Sequence, residues 1–590
     1  MALLSVIGRN IYSQRYIFLI LIVLALFMSL VLRNTQLGAD GKEYLRWTHS
    51  LVFDQDIHLL NDFEAVGGSV KLTPTGYVFE RVNIGAPLLW APFYRASLFF
   101  LPTPTDPAQK SYPADTAIQL LWINFSSWLY PILAGLITIG ALQRLFSARA
   151  VGLAIIAIVL GTPVLFYMIT FPFSSHGVSI FLSSLLLYVW LSNKSQQSLL
   201  YYLTVGIVIG WMMTVASYNV VFFSLPACIL LKEYRIQKNK FVVLKNGLAT
   251  ALGGLLGFAP QMIVWWFLFG TPFYSPYSGQ LLWSEPYVLE TLFSTFHGLF
   301  FYAPVLLLVL PGLWFWKSRH SWEAPGIGLV WLGLTYIVSI NVAWWAGSSF
   351  GNRYFLTLTP FFVVGLSALI DQGKKWLTAL MVACVLWTVG LYLQFLSGVG
   401  FTSDSVVFAA TELAKGQITA FTQIATVLPN LWLDRPWLLV PPTALPAFVL
   451  VFLITSWLVY RWVVTGSPGT NLAATRFTIV AVSVVVIGFI GLAGLRGQTI
   501  KATLASQGFY DQPHPVIRRE IKELAGKAGL VTRAMYHRQT NQPEKAIADL
   551  KLAAELWQQD DVEQPQRLYL GPKESASIAA PMNLNLDYLG

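Results

Sequence analysis

Apolar runs of about 20 residues recur along most of this chain, and that length is what crossing roughly 30 Å of hydrocarbon requires. In lipid, only a helix or a closed barrel satisfies every backbone polar group, so runs of this kind read as helices. Thirteen spans are expected: 16–32, 117–142, 151–169, 177–191, 199–215, 220–231 and 244–269, then 298–316, 327–344, 354–370, 376–396, 437–460 and 477–495. The pair that meets at Ser217-Tyr218-Asn219 is short, with almost no loop between its members. A further apolar segment, 83–101, is broken by Pro87, Pro92 and Arg95 and reads as an interfacial or re-entrant helix. The fold class is therefore all-α: a polytopic transmembrane helical bundle. Only 11% of the 590 residues are charged and 55% are hydrophobic, more apolar surface than a soluble domain of this size needs.

Loop charge sets the orientation. With the N-terminus in the cytoplasm, alternating spans place Arg144, Arg149, Lys194, the Lys232–Lys240 cluster, Lys317, Arg319, Lys374, Lys375, Arg461 and Arg476 all inside. That is the distribution the positive-inside rule requires. The net charge of +10 thus belongs to topology, and no nucleic-acid partner is implied. The outer loops are then 33–116, 170–176, 217–219, 270–297, 345–353 and 397–436, and the tail 496–590 also lies outside. Arg9 and Arg15 precede the first span without a small-residue cleavage site, so it reads as a retained helix. Cys228 and Cys384 both lie in apolar spans and imply neither a disulfide framework nor a metal pair. In the tail, Asn541-Gln542-Pro543 separates two amphipathic helices, the second with Ala546, Leu550, Ala553 and Leu556 on one face. This is like a single tetratricopeptide hairpin, which cannot bury its faces alone and is expected to dock elsewhere.

The first outer loop concentrates acids that are scarce elsewhere: Asp40, Glu43, Asp54, Asp56 and Asp62. Asp40 sits just past the first span between Gly38 and Gly41. A carboxylate there can act as a general base, or as a ligand for a sugar or a metal; it can equally be a solvated loop acid. Glu43 is one helical turn on and would share its face in a helix. Asp54-Gln55-Asp56 is a D-x-D arrangement, a short pattern that often binds a metal-nucleotide in soluble glycosyltransferases and also occurs by chance. A divalent cation, Mg or Mn, is an open possibility at Asp40 or Asp56. Arg353, in WWAGSSFGNRYF, has Gly347 and Gly351 beside it and suits bidentate phosphate binding; a snorkelling interfacial arginine is the bland alternative. His176 and His297 fall at outer span ends, as does Asn219. Five outer segments thus bring Asp40, His176, Asn219, His297 and Arg353 to one side of the membrane, the expected make-up of an interfacial site. Trp and Tyr residues between 265 and 287, with Trp344 and Trp345, also gather outside, as an aromatic belt would.

Four blocks carry a resemblance: GADGKEYLRWTHSLVFDQD, IGAPLLWAPF, HGLFFYAPVLLLVLPGL and WWAGSSFGNRYFLTLTPFF. Over residues 10–395 the chain resembles the GT-C superfamily of multi-spanning glycosyltransferases, especially bacterial members that use polyprenyl-phosphate sugars. The resemblance implies a catalytic Asp in the first outer loop, which falls on Asp40, and a second acid or His nearby, for which Glu43, Asp54 and Asp56 compete. It also implies a basic residue for the lipid phosphate, best matched by Arg353. Independently of the resemblance, His176, His297, Asn219, Asp54 and Asp56 are expected as further substrate-binding residues, with Asp40 and Glu43 as the catalytic pair. Its expected partners are a polyprenyl-phosphate sugar donor, an extracytoplasmic acceptor and the bilayer of a bacterial plasma membrane. Two other classes compete. A transporter or flippase of a lipid-linked precursor would place charged groups near the bilayer midplane. A non-enzymatic scaffold would need the tail and not the acidic loop.

Overall fold

The computed structural model describes residues 38–66, 70–97, 117–192, 198–237, 239–276, 281–318, 320–347, 349–397 and 413–418, with the single positions 548 and 551. The chain divides into two units, one of Met1–Ser403 with Val407–Pro513 and the other of Asp404–Val406 with His514–Gly590. The expected spans 16–32, 437–460 and 477–495 and the tail hairpin lie outside the described residues.

The described chain is helical, and isolated β-bridges join only Leu72 to Val78 and Leu281 to Asn341. The expected first outer loop opens with α1 (Ala39–His49), which runs into a π turn (Ser50–Asp54); α2 (Leu60–Val66) and α3 (Gly85–Ser97) follow. Next come α4 (Ala117–Leu142), α5 (Ala148–Gly161), α6 (Val164–Ile169), α7 (His176–Ser192) and α8 (Leu199–Val215). A 3-10 turn (Ser217–Phe223) leads into α9 (Ser224–Ile236), which precedes the long α10 (Lys240–Phe269). The rest are α11 (Val288–Phe293), α12 (Leu299–Tyr302), α13 (Val309–Lys317), α14 (Glu323–Ser339), α15 (Thr359–Ile370) and α16 (Lys375–Ser397).

Among the described residues, four helical segments are long and apolar enough to cross a membrane: Gln119–Leu142, Lys240–Phe269, Arg353–Ile370 and Trp376–Phe395. Five shorter apolar helices accompany them. Several expected spans are broken, and prolines mark three of the breaks. The 151–169 segment divides at Thr162-Pro163, because Pro163 has no N–H to continue the ladder. The 298–316 segment is cut before the 3-10 turn Pro304–Leu308, and 354–370 begins as the 3-10 turn Arg353–Leu358 with Pro360 at the start of α15. The first third of the 220–231 segment is 3-10 turn, and its helix continues through Lys232, Glu233 and Arg235. The 83–101 segment forms α3 with Pro92 inside it.

Two features position the expected first outer loop. First, α8 and α10 cross at glycine contacts. A Cβ at Gly206 or Gly210 would collide with backbone of Thr250 or Gly254, and one at Gly253 or Gly257 with the carbonyls of Leu203 or Ile207. Small-xxx-small spacing on both helices lets their backbones touch, the packing lipid-embedded helices favour. Thr214 seals the crossing by donating to the Gly257 carbonyl at 3.0 Å. Second, the outer loop docks on the ends of these helices. Asn83 donates to the Met213 carbonyl and to Ser217 Oγ, each at 3.0 Å. Trp47, Leu59, Leu60, Phe63, Val78 and Ile84 form a small core against Val264 and Leu268 of α10.

The glycine crossing gives a stability test. Gly210→Ala is expected to cost about 1–3 kcal/mol through overpacking. Gly152→Ala, at a position with no atom within 4 Å of the added carbon, is expected to be neutral or mildly stabilising. Thermal unfolding of the two purified variants in detergent checks this; equal effects would contradict the packing described.

Candidate active site

Helix α1 organises the site. Gly38 precedes it in extended conformation, and Asp40 in its first turn and Arg46 and His49 in its last complement the helix dipole. Tyr44, Leu45 and Trp47 bury one side. Asp40, Glu43, Arg46 and His49 lie three apart, so they share a slowly winding stripe. Each finds a partner off the helix. Arg353 Nη1 donates to Asp40 Oδ2 at 2.5 Å, and Arg81 Nη2 lies 3.6 Å from Asp40 Oδ1. Arg81 also grips Glu43, with Nε and Nη2 at 2.9 and 2.5 Å from Oε1. Arg46 pairs with Glu80 and stacks its guanidinium over Phe63 at 3.7 Å. His49 Nδ1 is 2.6 Å from Asp62 Oδ1.

The Asp40 carboxylate is thus held between two guanidinium groups, with a quarter of the side chain still exposed (25%). Burial works to raise its pKa, but the nearby charge of Arg353, then of Arg81, outweighs it and holds the carboxyl below its ordinary range. Deeper in the loop burial prevails. It pushes Asp62 up to about 6 against the pull of His49, and raises Glu80 against the pull of Arg46.

Arg353 is delivered by a tight loop. Ala346, Gly347 and Gly351 all adopt positive φ (68°, 71° and 61°). At Gly351 a side chain would also meet Tyr302 and Pro163. Ser349 Oγ bonds the Gly351 carbonyl at 2.8 Å, and Asn352 Nδ2 donates to the Trp344 carbonyl at 2.9 Å. The loop is fixed before any substrate arrives. Tyr354 contacts the guanidinium, and the buried Tyr167 lies within its field. Tyr167 meets His176 edge-on at 4.6 Å between ring centroids.

The expected site residues separate into groups. Asp40, His176 and Arg353 do come together, and His176 is close enough to couple electrostatically with the other two. His297 is fully buried and lies behind them: its Nδ1 is 2.9 Å from Ser349 Oγ, so it braces the Arg353 loop. Asn219 is not brought to the site. It is fully buried, donates to the Met212 carbonyl at 2.8 Å and accepts from Thr357 at 3.0 Å, anchoring the turn that starts at Arg353. Glu43 orients Arg81. The D-x-D acids diverge across Gln55, which is left-handed (φ 58°). Asp54 turns toward His49 and accepts from Asn61 at 2.9 Å, while Asp56 accepts from Ser50 Oγ at 3.0 Å and from the His58 N–H at 2.9 Å. Among the described residues, neither Asp40 nor Asp56 joins a group of three or more His, Cys, Asp or Glu side chains that could share a metal ion. Arg81, which sequence reasoning missed, is the residue that joins Asp40 to Glu43. The only signal for it was a basic residue beside Glu80, just before the interfacial helix.

No protein-family model matches the chain, and no curated protein matches its sequence. Among solved structures it is similar to ArnT from Cupriavidus metallidurans bound to undecaprenyl phosphate, at 13% identity and a TM-score of 0.42, over 84% of this chain and 80% of that one. It is also similar to the same protein in the apo state, at 14% identity and a TM-score of 0.41, over 82% of this chain and 78% of that one.

The Asp40 pairing has a pH signature. A carboxyl with a depressed folded pKa adds stability above its unfolded pKa and loses it as pH falls through the folded value. The gap in melting temperature between wild type and Asp40→Asn should hold from about pH 7 to about pH 5. It should close only below the ordinary value of 3.8. A gap that closes near pH 5 would mean that the arginines do not hold this carboxylate.

Proposed function

We propose that this chain is a membrane glycosyltransferase that moves a sugar from a polyprenyl-phosphate carrier to an extracytoplasmic acceptor. The observation that carries the reading is one partly open carboxylate, Asp40, set between the guanidiniums of Arg353 and Arg81. The reaction needs both kinds of group. The acceptor hydroxyl attacks the anomeric carbon and gives its proton to Asp40. The bond from that carbon to the phosphate oxygen breaks, and the carrier phosphate leaves as an anion that Arg353 and Arg81 stabilise. The resemblance to the GT-C superfamily supplies the donor class and the bacterial plasma membrane, and the positive-inside reading of the loops supports a site on its outer face.

The resting geometry also orders the steps. While both guanidiniums face Asp40, its carboxylate is a weak base. A donor phosphate competes for the same cations, and as they turn to it Asp40 regains basicity. The base is thus strongest when the donor is in place. His176 and Tyr167 line the same depth and are assigned to the sugar or phosphate side of the pocket. Glu43 serves as the acid that orients Arg81.

A transporter or flippase is the weaker reading. Among the described residues, every ion pair involves α1, and its partners come from the outer loop or the outer end of a span. Charge pairs at the bilayer midplane, which transport would call for, are not among them.

The test is release of polyprenyl phosphate from a panel of polyprenyl-phosphate sugars by the purified protein. Asp40→Asn is expected to lower turnover by at least about 10²-fold, the usual worth of a general base. Arg353→Lys, which keeps the charge and loses the bidentate fork, is expected to weaken donor binding. Unchanged turnover in Asp40→Asn would refute the assigned base. If no donor of the panel binds, the enzyme class itself falls.

A further inference from the structure

A second cluster stands at the other end of α1, nine residues and roughly 14 Å along the helix from Asp40. His49 ends the helix, and the π turn Ser50–Asp54 carries the chain back, so that Asp54 returns to the imidazole. Asp62 reaches it from α2. His49 Nδ1 lies 2.6 Å from Asp62 Oδ1 and 3.8 Å from Asp54 Oδ2. One ligand atom from each of the three lies within 4.8 Å of the other two.

A second observation separates this cluster from an ordinary group of acids. Asp62 and His49 are fully buried. Asp62 uses only Oδ1; its Oδ2 is enclosed without a hydrogen-bond partner among the described residues, as is His49 Nε2. An enclosed carboxylate oxygen left without a donor keeps its desolvation penalty unless something binds it. Asp54 is only partly buried, so the cluster is reachable from solvent through it.

We infer that His49, Asp54 and Asp62 form a binding site for one zinc-type divalent cation. The donor set is an imidazole nitrogen and two carboxylates, which zinc binds at about 2.0–2.2 Å and whose two negative charges it neutralises. Magnesium prefers an all-oxygen octahedral shell and is excluded by the same set. The cation takes the place of the proton between His49 Nδ1 and Asp62 Oδ1, and these two atoms move apart to about 3.4 Å. Bidentate binding by Asp62 satisfies its second oxygen. Asn61, donating to Asp54 Oδ2 at 2.9 Å, orients that ligand. Asp56 faces Ser50 and His58 and takes no part. The site closes the 13-residue step from His49 to Asp62 and pins the outer loop to α1, apart from the reacting groups.

The experiment uses the full chain in detergent, stripped with a chelator and titrated with zinc chloride, then with magnesium chloride. Bound metal is counted by elemental analysis and the melting temperature is recorded. One zinc per chain, with a higher melting temperature and no magnesium competition, is expected. Asp54→Asn and Asp62→Asn should weaken zinc binding by at least about tenfold while Asp56→Asn keeps it. Asp54 is partly exposed, so its variant tests the site even where a change at buried Asp62 disturbs folding. A plain hydrogen-bonded His–Asp pair predicts no bound zinc in folded wild type, and that result would overturn the inference. So would zinc retained equally by Asp54→Asn and Asp56→Asn.

Discussion

The bond between Asp40 and Arg353 joins residues 313 positions apart and brings the first outer helix onto the loop before α15. Neither end could hold its place alone. Arg353 starts a largely buried segment, and a guanidinium at such a depth needs a counter-charge. Removing one partner of a buried pair costs about 3–5 kcal/mol, because the other is left uncompensated. The cost here is smaller, since both side chains keep some exposure (25% and 19%). That exposure also leaves the pair reachable. His297, Ser349, Asn352 and Asn219 hold the arginine's backbone, so the cation is fixed in advance of any anion it meets.

Around this bond the rest of the outer loop is arranged by a single helix. Asp40 and Glu43 precede Arg46 and His49, an order that suits the dipole of α1 and faces each charge with an opposite one. Arg81 and Glu80 are adjacent in sequence and bind two successive members of the stripe, Glu43 and Arg46. One short strand of loop thereby fixes its register on the helix. The apolar side of α1, through Trp47, packs with Leu60, Phe63 and Ile84 on the end of α10. The glycine crossing of α8 and α10 thus bears on the geometry of the site, because the loop that holds Arg81 rests on those two helices.

The sequence revealed the membrane helices better than the chemistry. The expected spans 117–142 and 199–215 match α4 and α8 end to end, because hydrocarbon length and polar flanks leave little choice. The breaks at Pro163 and Pro304 were overlooked where apolarity alone was weighed against a missing N–H. Asp40 and Arg353 stood out because charge is rare at a span end. Asn219 shared that placement, yet its amide is spent inside the protein; topology says which side a residue lies on, not which way it points. The D-x-D spacing likewise does not say where the side chains point: a left-handed Gln55 sends Asp54 and Asp56 to different partners. Arg81 could not be found from spacing, since its importance comes from a fold that returns it to Glu43 and Asp40.

The position of the charges follows from two solvents meeting at this loop. A carboxylate at the bilayer centre would cost several kcal/mol, which keeps acids out of the spans. A lipid carrier cannot bring its phosphate far from the headgroups, and a polar acceptor cannot enter the hydrocarbon. Under the proposed function only the boundary is open to both, and Asp40 lies one residue into the helix that follows the first expected span. With a quarter of the Asp40 side chain exposed (25%), water is partly excluded, so the attraction between guanidinium and carboxylate is stronger than in bulk solvent. A site sunk deeper would lock the pair shut, and one fully exposed would leave Asp40 as an ordinary surface acid with no cation aimed at it.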